Sequence, residues 1–137
     1  SRYNATTTEK AGQTIVFTLT TDDPDAGGPC QAATDQVNIK INQEAEVNTG
    51  SDLALCRSVG TTTFNLNGLS EYMHTNAALG GTWSGGLGTF SNANSLTSTY
   101  TPHATEIPGN GTVAKTVKLY LTSNDPDGVA EPCPVVK

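Results

Sequence analysis

The stretch TIVFTLTTDDPD (residues 14–25) is matched without a gap by TVKLYLTSNDPD (residues 116–127), and six of the twelve positions are identical. A second pair of segments runs at nearly the same offset, since SRYNATTTE (residues 1–9) resembles STYTPHATE (residues 98–106). Self-similarity at a fixed period marks a repeat array, and a period of about 100 residues is the length of a small domain rather than of a solenoid unit. The sequence therefore predicts a tandem array of equivalent domains.

The register of the repeat predicts where the units meet. Residues 1–42 correspond to the last part of one unit, and residues 43–137 correspond to most of the next unit, lacking its last strand. That strand is the counterpart of DQVNIKI (residues 35–41). We expect a continuation of the chain, or strand 36–42 of a neighbour, to fill the open sheet edge. Because the sequence shows no initiator Met or leader, we expect a fragment of a longer protein.

The composition predicts an all-β protein. The chain contains 14 Gly and 7 Pro, is rich in Thr, and lacks long runs of the helix formers Ala, Leu, Glu and Lys. Only 15% of the residues are charged and the net charge is −6, which excludes nucleic acid as a partner because phosphate binding requires clustered Lys and Arg. An anionic membrane surface is disfavoured for the same reason, and without a long apolar run we expect no direct membrane insertion.

Apolar residues alternate with polar ones in three segments, which is the pattern of half-buried strands. These stripes are Ile15, Phe17 and Leu19, then Val37, Ile39 and Ile41, and then Val117, Leu119 and Leu121. The first two stripes predict antiparallel neighbours at 14–21 and 36–42. The strands predicted in the second unit are 45–49, 53–57, 62–67, 81–84, 88–91, 96–101 and 113–123. Seven short strands separated by Gly, Asn and Pro predict a two-sheet β-sandwich of immunoglobulin type.

The aromatic residues favour structural roles. Trp83, within GGTWSGG, is predicted to fill the core between the sheets, with a sugar-stacking platform as the alternative. Tyr3 and Tyr100 occupy equivalent repeat positions, and each is followed six residues later by a glutamate, Glu9 or Glu106. A tyrosine at this place in a sandwich often ties a connecting loop to the body of the domain.

Three cysteines fit the repeat although their number is odd. GGPC ending at Cys30 resembles AEPC ending at Cys133, so each unit should carry one cysteine near its beginning and one near its end. We expect Cys56 to pair with Cys133, and Cys30 to pair with a cysteine of the preceding repeat. The Cys56–Cys133 bond would close a loop of about 77 residues, contribute about 4 kcal/mol in the chain-entropy model and require an oxidising compartment. Free buried thiols are the alternative.

The repeated DDPD and NDPD motifs each follow an alternating strand. Pro fixes φ and an Asp side chain can cap its own turn, so the motif is a strong turn former. A calcium site is the alternative, because hard cations bind clustered oxygens and stiffen the junctions between domains. Its candidate ligands are Asp22, Asp23 and Asp25 in one copy and Asn124, Asp125 and Asp127 in the other, with Glu131, carbonyl groups or the adjoining unit completing the shell.

The sequence carries no recognisable catalytic arrangement. His74 and His103 lie in loop-like segments, and the chain has no GxSxG elbow, HExxH helix or phosphate-binding Gly loop. The candidate Asp pairs lie in turns where nothing apolar would raise a carboxyl pKa, as glycoside hydrolysis requires. We therefore expect a protein that is not an enzyme.

Three strings resemble the tandem immunoglobulin-like or PKD-like repeats of the SprB-type surface adhesins of gliding bacteria. They are TIVFTLTTDDPDAGGPCQAATDQVNIKIN (14–42), GTWSGGLGTFSNANSLTSTYTPHATE (81–106) and TVKLYLTSNDPD (116–127). The resemblance implies an extracellular filament on the cell surface, exported through the type 9 pathway and used in attachment and gliding. Two segments depart from the pattern by their length, LSEYMHTNAALGG (69–81) and IPGNGTVA (107–114).

Two noncatalytic functions follow from these features. The first is a stalk repeat that makes a mechanical link, with neighbouring repeats as its partners. The second is a lectin-like module that binds surface polysaccharide. Its predicted binding loop is Tyr72, Met73 and His74, with Glu71 beside them, within the longer segment. Aromatic residues are only 6% of the chain, which favours the stalk.

Overall fold

The structure is a computed structural model that describes residues 2–54, 63–109, 112–129 and 132–137. The described residues form strands, turns and irregular segments and no helix, so the predicted all-β class is confirmed. The strands are β1 (Thr14–Thr20), β2 (Thr34–Lys40), β3 (Ala45–Asn48), β4 (Phe64–Asn67), β5 (Leu69–Tyr72), β6 (Gly81–Gly85), β7 (Thr89–Phe90), β8 (Thr97–Thr101) and β9 (Leu119–Ser123).

The chain divides into two compact units, Ser1–Gln43 and Glu44–Lys137. We call them unit 1 and unit 2. Their division lies one residue from the boundary predicted between residues 42 and 43. Unit 1 contains β1 and β2, and unit 2 contains β3 to β9. Unit 1 is therefore a strand pair with its flanking segments.

Unit 1 is built on the antiparallel pair of β1 and β2, as the two alternating stripes predicted. The register places Ile15 opposite Ile39 and Phe17 opposite Val37. Since directly opposed residues share a face and alternate residues change face, these four apolar side chains lie on one face. The other face carries polar pairs such as Thr18 opposite Gln36, which are joined through their side chains.

The apolar face of unit 1 is only partly covered by the residues of that unit. The ring of Tyr3 packs edge-on against Phe17, with ring centroids 4.8 Å apart. Leu19 is 74% exposed, and Val37 and Ile39 are also exposed. Isolated exposed apolar residues are common, but a continuous apolar stripe along a strand pair is typical of a sheet face that packs against another surface.

The described residues of unit 2 form three small antiparallel sheets: β3 with β5, β4 with β8 and β7, and β6 with β9. Only Gly68 separates β4 from β5, so the two form one bent strand that changes its partner at the glycine. A Cβ atom at Gly68 would lie 2.6 Å from Leu121 Cδ2 and 2.8 Å from Trp83 Cζ2. The bend thus brings the backbone against the core, where only glycine fits.

The core of unit 2 consists of Leu66, Trp83, Tyr100 and Leu121. Partly buried apolar side chains surround it: Val47, Phe64, Phe90, Leu96, Val117 and Leu119. Trp83 is 3% exposed, lies opposite Leu121 in the β6–β9 ladder and donates its indole N–H to the Leu96 carbonyl at 3.2 Å. The core role predicted for Trp83 is confirmed, and the sugar-stacking alternative is wrong because the ring is buried.

Three predicted elements differ from the structure. The strand predicted over 113–123 covers only Leu119–Ser123, because its partner β6 ends at Gly85, where a φ of 94° turns the chain. Residues 53 and 54 of the predicted strand 53–57 lie outside any strand, and residues 55–57 lie outside the described part. The segment 69–72, interpreted as a loop insertion, is strand β5.

The equivalent leucines of the two units provide a matched pair of variants. Leu121 is 1% exposed and Leu19 is 74% exposed, although the repeat aligns them. We expect Leu121→Ala to destabilise unit 2 by about 2–5 kcal/mol, because it leaves a cavity in the core. Leu19→Ala should change stability by about 0.5 kcal/mol or less. Urea unfolding followed by Trp83 fluorescence and circular dichroism measures both, and equal losses at the two positions would contradict the core assignment.

Candidate functional site

The DDPD turn of unit 1 is capped by its own side chains. Asp23 Oδ1 accepts the backbone N–H of Asp25 at 3.1 Å and that of Ala26 at 3.2 Å. Asp25 Oδ2 then accepts the backbone N–H of Cys30 at 3.1 Å. The pKa of Asp23 is lowered, chiefly by the hydrogen bond from the Asp25 N–H, against a smaller raising effect of desolvation. Asp23 is therefore an anionic cap of the kind that stabilises turns.

The NDPD turn of unit 2 repeats these contacts atom for atom. Asp125 Oδ1 accepts the backbone N–H of Asp127 at 3.2 Å and that of Gly128 at 2.9 Å. Asp127 Oδ2 accepts the backbone N–H of Cys133 at 3.2 Å. Since the two turns belong to different units, the motif fixes its own conformation. The turn-forming interpretation of the motif accounts for these carboxylate contacts.

A Thr or Ser that precedes each turn forms two hydrogen bonds with one residue of the segment that returns after the turn. The Thr21 N–H donates to the Ala33 carbonyl at 2.9 Å, and the Ala33 N–H donates to Thr21 Oγ1 at 3.0 Å. In unit 2 the Ser123 N–H donates to the Val136 carbonyl at 2.8 Å, and the Val136 N–H donates to Ser123 Oγ at 2.9 Å. Sequence reasoning missed these residues. The signal was the conserved hydroxyl at one position of the repeat, Thr in one copy and Ser in the other.

A tyrosine–glutamate contact ties a loop to strand β8 in unit 2. The Tyr100 hydroxyl donates to Glu106 Oε2 at 2.8 Å and accepts the Gly88 N–H at 2.8 Å. Glu106 also accepts the N–H groups of Leu87 and His103, at 2.7 and 2.8 Å. Burial raises the pKa of Glu106, but these hydrogen bonds outweigh burial and hold the pKa below its usual range. The carboxylate thus joins two loops to the tyrosine.

Unit 1 contains the same contact. The Tyr3 hydroxyl donates to Glu9 Oε1 at 2.5 Å, and the Thr6 N–H donates to Glu9 Oε2 at 2.7 Å. Thr6 aligns with His103 in the repeat, and both give their backbone N–H to the glutamate. The hydrogen bond with Tyr3 lowers the pKa of Glu9 and raises the pKa of the tyrosine. The predicted role of both tyrosines in tying a loop agrees with these contacts.

Among the candidate calcium ligands, four carboxylates accept backbone N–H groups of the turns: Asp23, Asp25, Asp125 and Asp127. In the described residues no group of three or more His, Cys, Asp or Glu side chains is placed to hold a metal ion. The candidate ligands were Asp22, Asp23, Asp25, Asn124, Asp125 and Asp127, and Glu131 lies outside the described part of the chain. The oxygens of Asp23 and Asp125 already accept two backbone N–H groups each. Calcium binding stays a prediction, and the described residues do not form a set of ligands for it.

The cysteines lie after the two turns. Cys30 is an exposed thiol and Cys133 is a half-buried thiol. Burial raises the pKa of the Cys133 thiol, and the nearby Asp127 carboxylate raises it further. Cys56 lies outside the described residues, so the Cys56–Cys133 disulfide and the pairing of Cys30 with a preceding repeat stay predictions.

The predicted binding loop is partly a strand. Tyr72 ends β5, is half-buried and donates its hydroxyl to the Pro126 carbonyl of the NDPD turn at 3.2 Å. Met73 and His74 follow it and are exposed. The chain then turns back, since the Tyr72 N–H donates to the Ala77 carbonyl at 3.0 Å. Tyr72 is therefore held by the adjacent turn rather than presented as a free ring.

A shallow groove of about 450 Å³ lies on unit 2 beside the segment that follows the NDPD turn. One wall is the start of β3, and the other is the segment after residue 131. The residues that line it are Glu44, Ala45, Glu46, Val47, Met73, Pro132, Cys133, Pro134 and Val136. Most of these side chains are apolar, so the groove can accept apolar side chains.

Comparison with family models, with curated proteins and with solved structures finds no match to this chain. The described residues contain no helix long and apolar enough to cross a membrane. The functional inferences for the chain therefore rest on its internal repeat and on the contacts described above.

The residue that follows the second Asp of each motif differs between the units, Ala26 in unit 1 and Gly128 in unit 2. Ala26 has a φ of 51° and its counterpart Gly128 has a φ of 96°, both in the left-handed region. A left-handed conformation costs an L-residue about 1–2 kcal/mol. We therefore expect Ala26→Gly to slow amide hydrogen exchange in β1, and Gly128→Ala to accelerate exchange in β9. A Cβ at Gly128 would meet no atom within 4 Å, so a change reflects backbone strain alone, and effects of the same sign would contradict this account.

The Glu106 contact predicts an acid-sensitive tie. Because the folded pKa of Glu106 is lowered, its stabilisation is present above the unfolded pKa of about 4.3 and is lost as pH falls through the folded value. We expect the thermal midpoint of unit 2 to fall as pH drops below about 4. Glu106→Gln should lower the midpoint at pH 7 and flatten its acid dependence. An unchanged slope in Glu106→Gln, measured by Trp83 fluorescence from pH 7 to pH 3, would show that Glu106 does not contribute.

Proposed function

We propose that the chain is a stretch of tandem immunoglobulin-like, PKD-like sandwiches that forms the stalk of a secreted cell-surface adhesin filament used in attachment and gliding. The observation that carries the proposal is the duplicated set of hydrogen bonds around the Asp-capped turn and the Tyr–Glu tie. Two units that share these contacts are copies of one building block, and copies of one block in series suit a spacer. Neighbouring repeats are then the partners of each unit.

The strand order of unit 2 supports the immunoglobulin-like assignment. With β4 and β5 as one bent strand, one sheet runs β3, β5/β4, β8, β7, and the facing pair is β6 and β9. This order corresponds to strands A, B, E and D in one sheet and C and F in the other. On the same correspondence, β1 and β2 of unit 1 are strands F and G of another copy.

The contacts also suit a mechanical and noncatalytic role. The ladders are antiparallel, and the core joins Trp83 on β6 to Tyr100 on β8. The Glu106 carboxylate adds a tie between loops. Both histidines lie on exposed turns, and His103 contacts Thr105 in its own loop. An extracellular location, reached through the type 9 pathway, fits the predicted disulfides, which require an oxidising compartment.

The lectin-like alternative depends on aromatic rings that could stack on a sugar. Trp83 is buried, and the hydroxyl of Tyr72 is bonded to the Pro126 carbonyl. Of the predicted binding loop, Met73 and His74 are the exposed members. The geometry thus favours the stalk over the carbohydrate-binding module.

The stalk proposal predicts that the protein lies on the cell surface and that blocking it there reduces attachment and gliding. Antibody raised against residues 1–137 should label filaments on intact cells of the encoding organism, and its Fab fragments should reduce attachment and gliding. Fab from pre-immune serum is the control. Labelling confined to the cell interior would overturn the proposal.

A glycan array of the isolated chain tests the alternative directly. Binding to surface polysaccharide that is lost in Tyr72→Ala but kept in Tyr120→Ala would favour the lectin-like module. Tyr120 is the matched control because it is exposed and lies on β9.

A further inference from the structure

Asn67 and Gly68 form an Asn–Gly pair at the point where the chain leaves β4 and enters β5. In such a pair the glycine nitrogen can attack the side-chain amide carbon of the asparagine, because glycine has no side chain to hinder the approach. The attack closes a five-membered succinimide ring and releases ammonia. Water then opens the ring at one of its two carbonyls, which gives aspartate or isoaspartate. The isoaspartate backbone passes through the side-chain carbon and is one atom longer.

The core of unit 2 requires the glycine of this pair. A Cβ at position 68 would lie 2.6 Å from Leu121 Cδ2 and 2.8 Å from Trp83 Cζ2, so no other residue fits there. Leu121 and Trp83 are both buried in the core and have no room to move aside. The Asn67 side chain is exposed, so packing does not require an asparagine at that position.

The fold opposes the reaction by the contacts of the attacking nitrogen. The Gly68 N–H donates to the Leu96 carbonyl at 2.9 Å, which continues the ladder in which Asn67 lies opposite Thr97. Attack requires the Gly68 nitrogen to give up this hydrogen bond and its proton and to turn onto the Asn67 side chain. Because Gly68 is packed against the core, that movement requires unit 2 to open.

Asn65 provides an internal comparison on the same strand. Asn65 and Asn67 are both exposed, and they lie opposite Thr99 and Thr97 in the β4–β8 ladder. Since they are two residues apart, their side chains lie on the same face of the sheet. Asn65 is followed by Leu66, whose branched side chain hinders attack by its nitrogen. The two asparagines thus share a strand and a face and differ in the residue that follows.

We propose that Asn67–Gly68 is a self-modification site of unit 2, which reacts when the unit unfolds and whose isoaspartate product prevents the unit from refolding. Water is the only co-reactant. The longer backbone lies between Leu66, which is part of the core, and Gly68, which is packed against it. It also shifts β5 relative to β4, although the two strands pair with different partners in fixed register. Unfolding of the unit thereby becomes irreversible.

Peptide mapping of the full chain tests whether unfolding controls the reaction. The chain is incubated at mildly alkaline pH in buffer and in guanidinium chloride, and mass spectrometry follows deamidation and isoaspartate at each asparagine. We expect Asn67 to react in denaturant and to react more slowly in buffer by roughly tenfold or more, because the folded state dominates there. Asn65 should stay unmodified under both conditions.

The matched leucine variants show whether opening of unit 2 sets the rate in buffer. Leu121→Ala weakens the core against which Gly68 is packed, and it should accelerate modification of Asn67 by roughly tenfold or more. Leu19→Ala changes an exposed side chain of unit 1 and should leave the rate unchanged.

Refolding after incubation in denaturant tests the consequence of the modification. Every chain in this experiment carries Asn110→Gln, which removes the second Asn–Gly pair of the sequence. The isoaspartate fraction should fail to recover native Trp83 fluorescence after dilution. Asn67→Gln would have to close a larger ring, so it should refold fully after the same incubation. Freshly prepared Asn67→Asp adds the charge without the extra backbone atom and should also refold.

Equal rates of modification at Asn67 in buffer and in denaturant would overturn control by unfolding. Full recovery of the isoaspartate-containing chains would overturn the block to refolding. Failure of freshly prepared Asn67→Asp to refold would also contradict the proposal, because it would assign the loss to the charge rather than to the longer backbone.

Discussion

Asp23 and Asp125 each use one carboxylate oxygen to hold two consecutive backbone N–H groups, and this contact sets how the chain leaves the strand and returns to it in each unit. The cap fixes the exit from the strand, and the next Asp side chain fixes the approach to the cysteine. The returning segment then meets the hydroxyl residue before the turn, Thr21 or Ser123. Because these contacts join residues no more than 13 positions apart, the turn forms alike in both units.

What the turn does not set is burial. Leu121 is enclosed because β6 lies beside its strand and places Trp83 opposite it. Leu19 has β2 beside its strand instead and stays exposed. Burial of the leucine therefore depends on which strand lies beside the strand that precedes the turn.

The parts of the fold that depend on nearby residues could be predicted from the sequence. The alternation in 14–20, the core role of Trp83 and the tyrosine ties all rest on patterns within a few residues. Strand β5 could not be predicted, because the polar Ser70 faces inward to donate its hydroxyl to the Gly80 carbonyl at 2.6 Å, and its partner β3 is distant in sequence. The groove and the length of β9 could not be predicted either, because both depend on contacts with segments that are distant in sequence.

The identity of the two turns is the central claim, and scalar couplings across their hydrogen bonds test it most directly. A long-range HNCO spectrum of the labelled chain should show a coupling from the Thr21 nitrogen to the Ala33 carbonyl carbon, and an equal one from the Ser123 nitrogen to the Val136 carbonyl carbon. Both couplings should be present in the same sample. A coupling in one unit without its counterpart in the other would contradict the account.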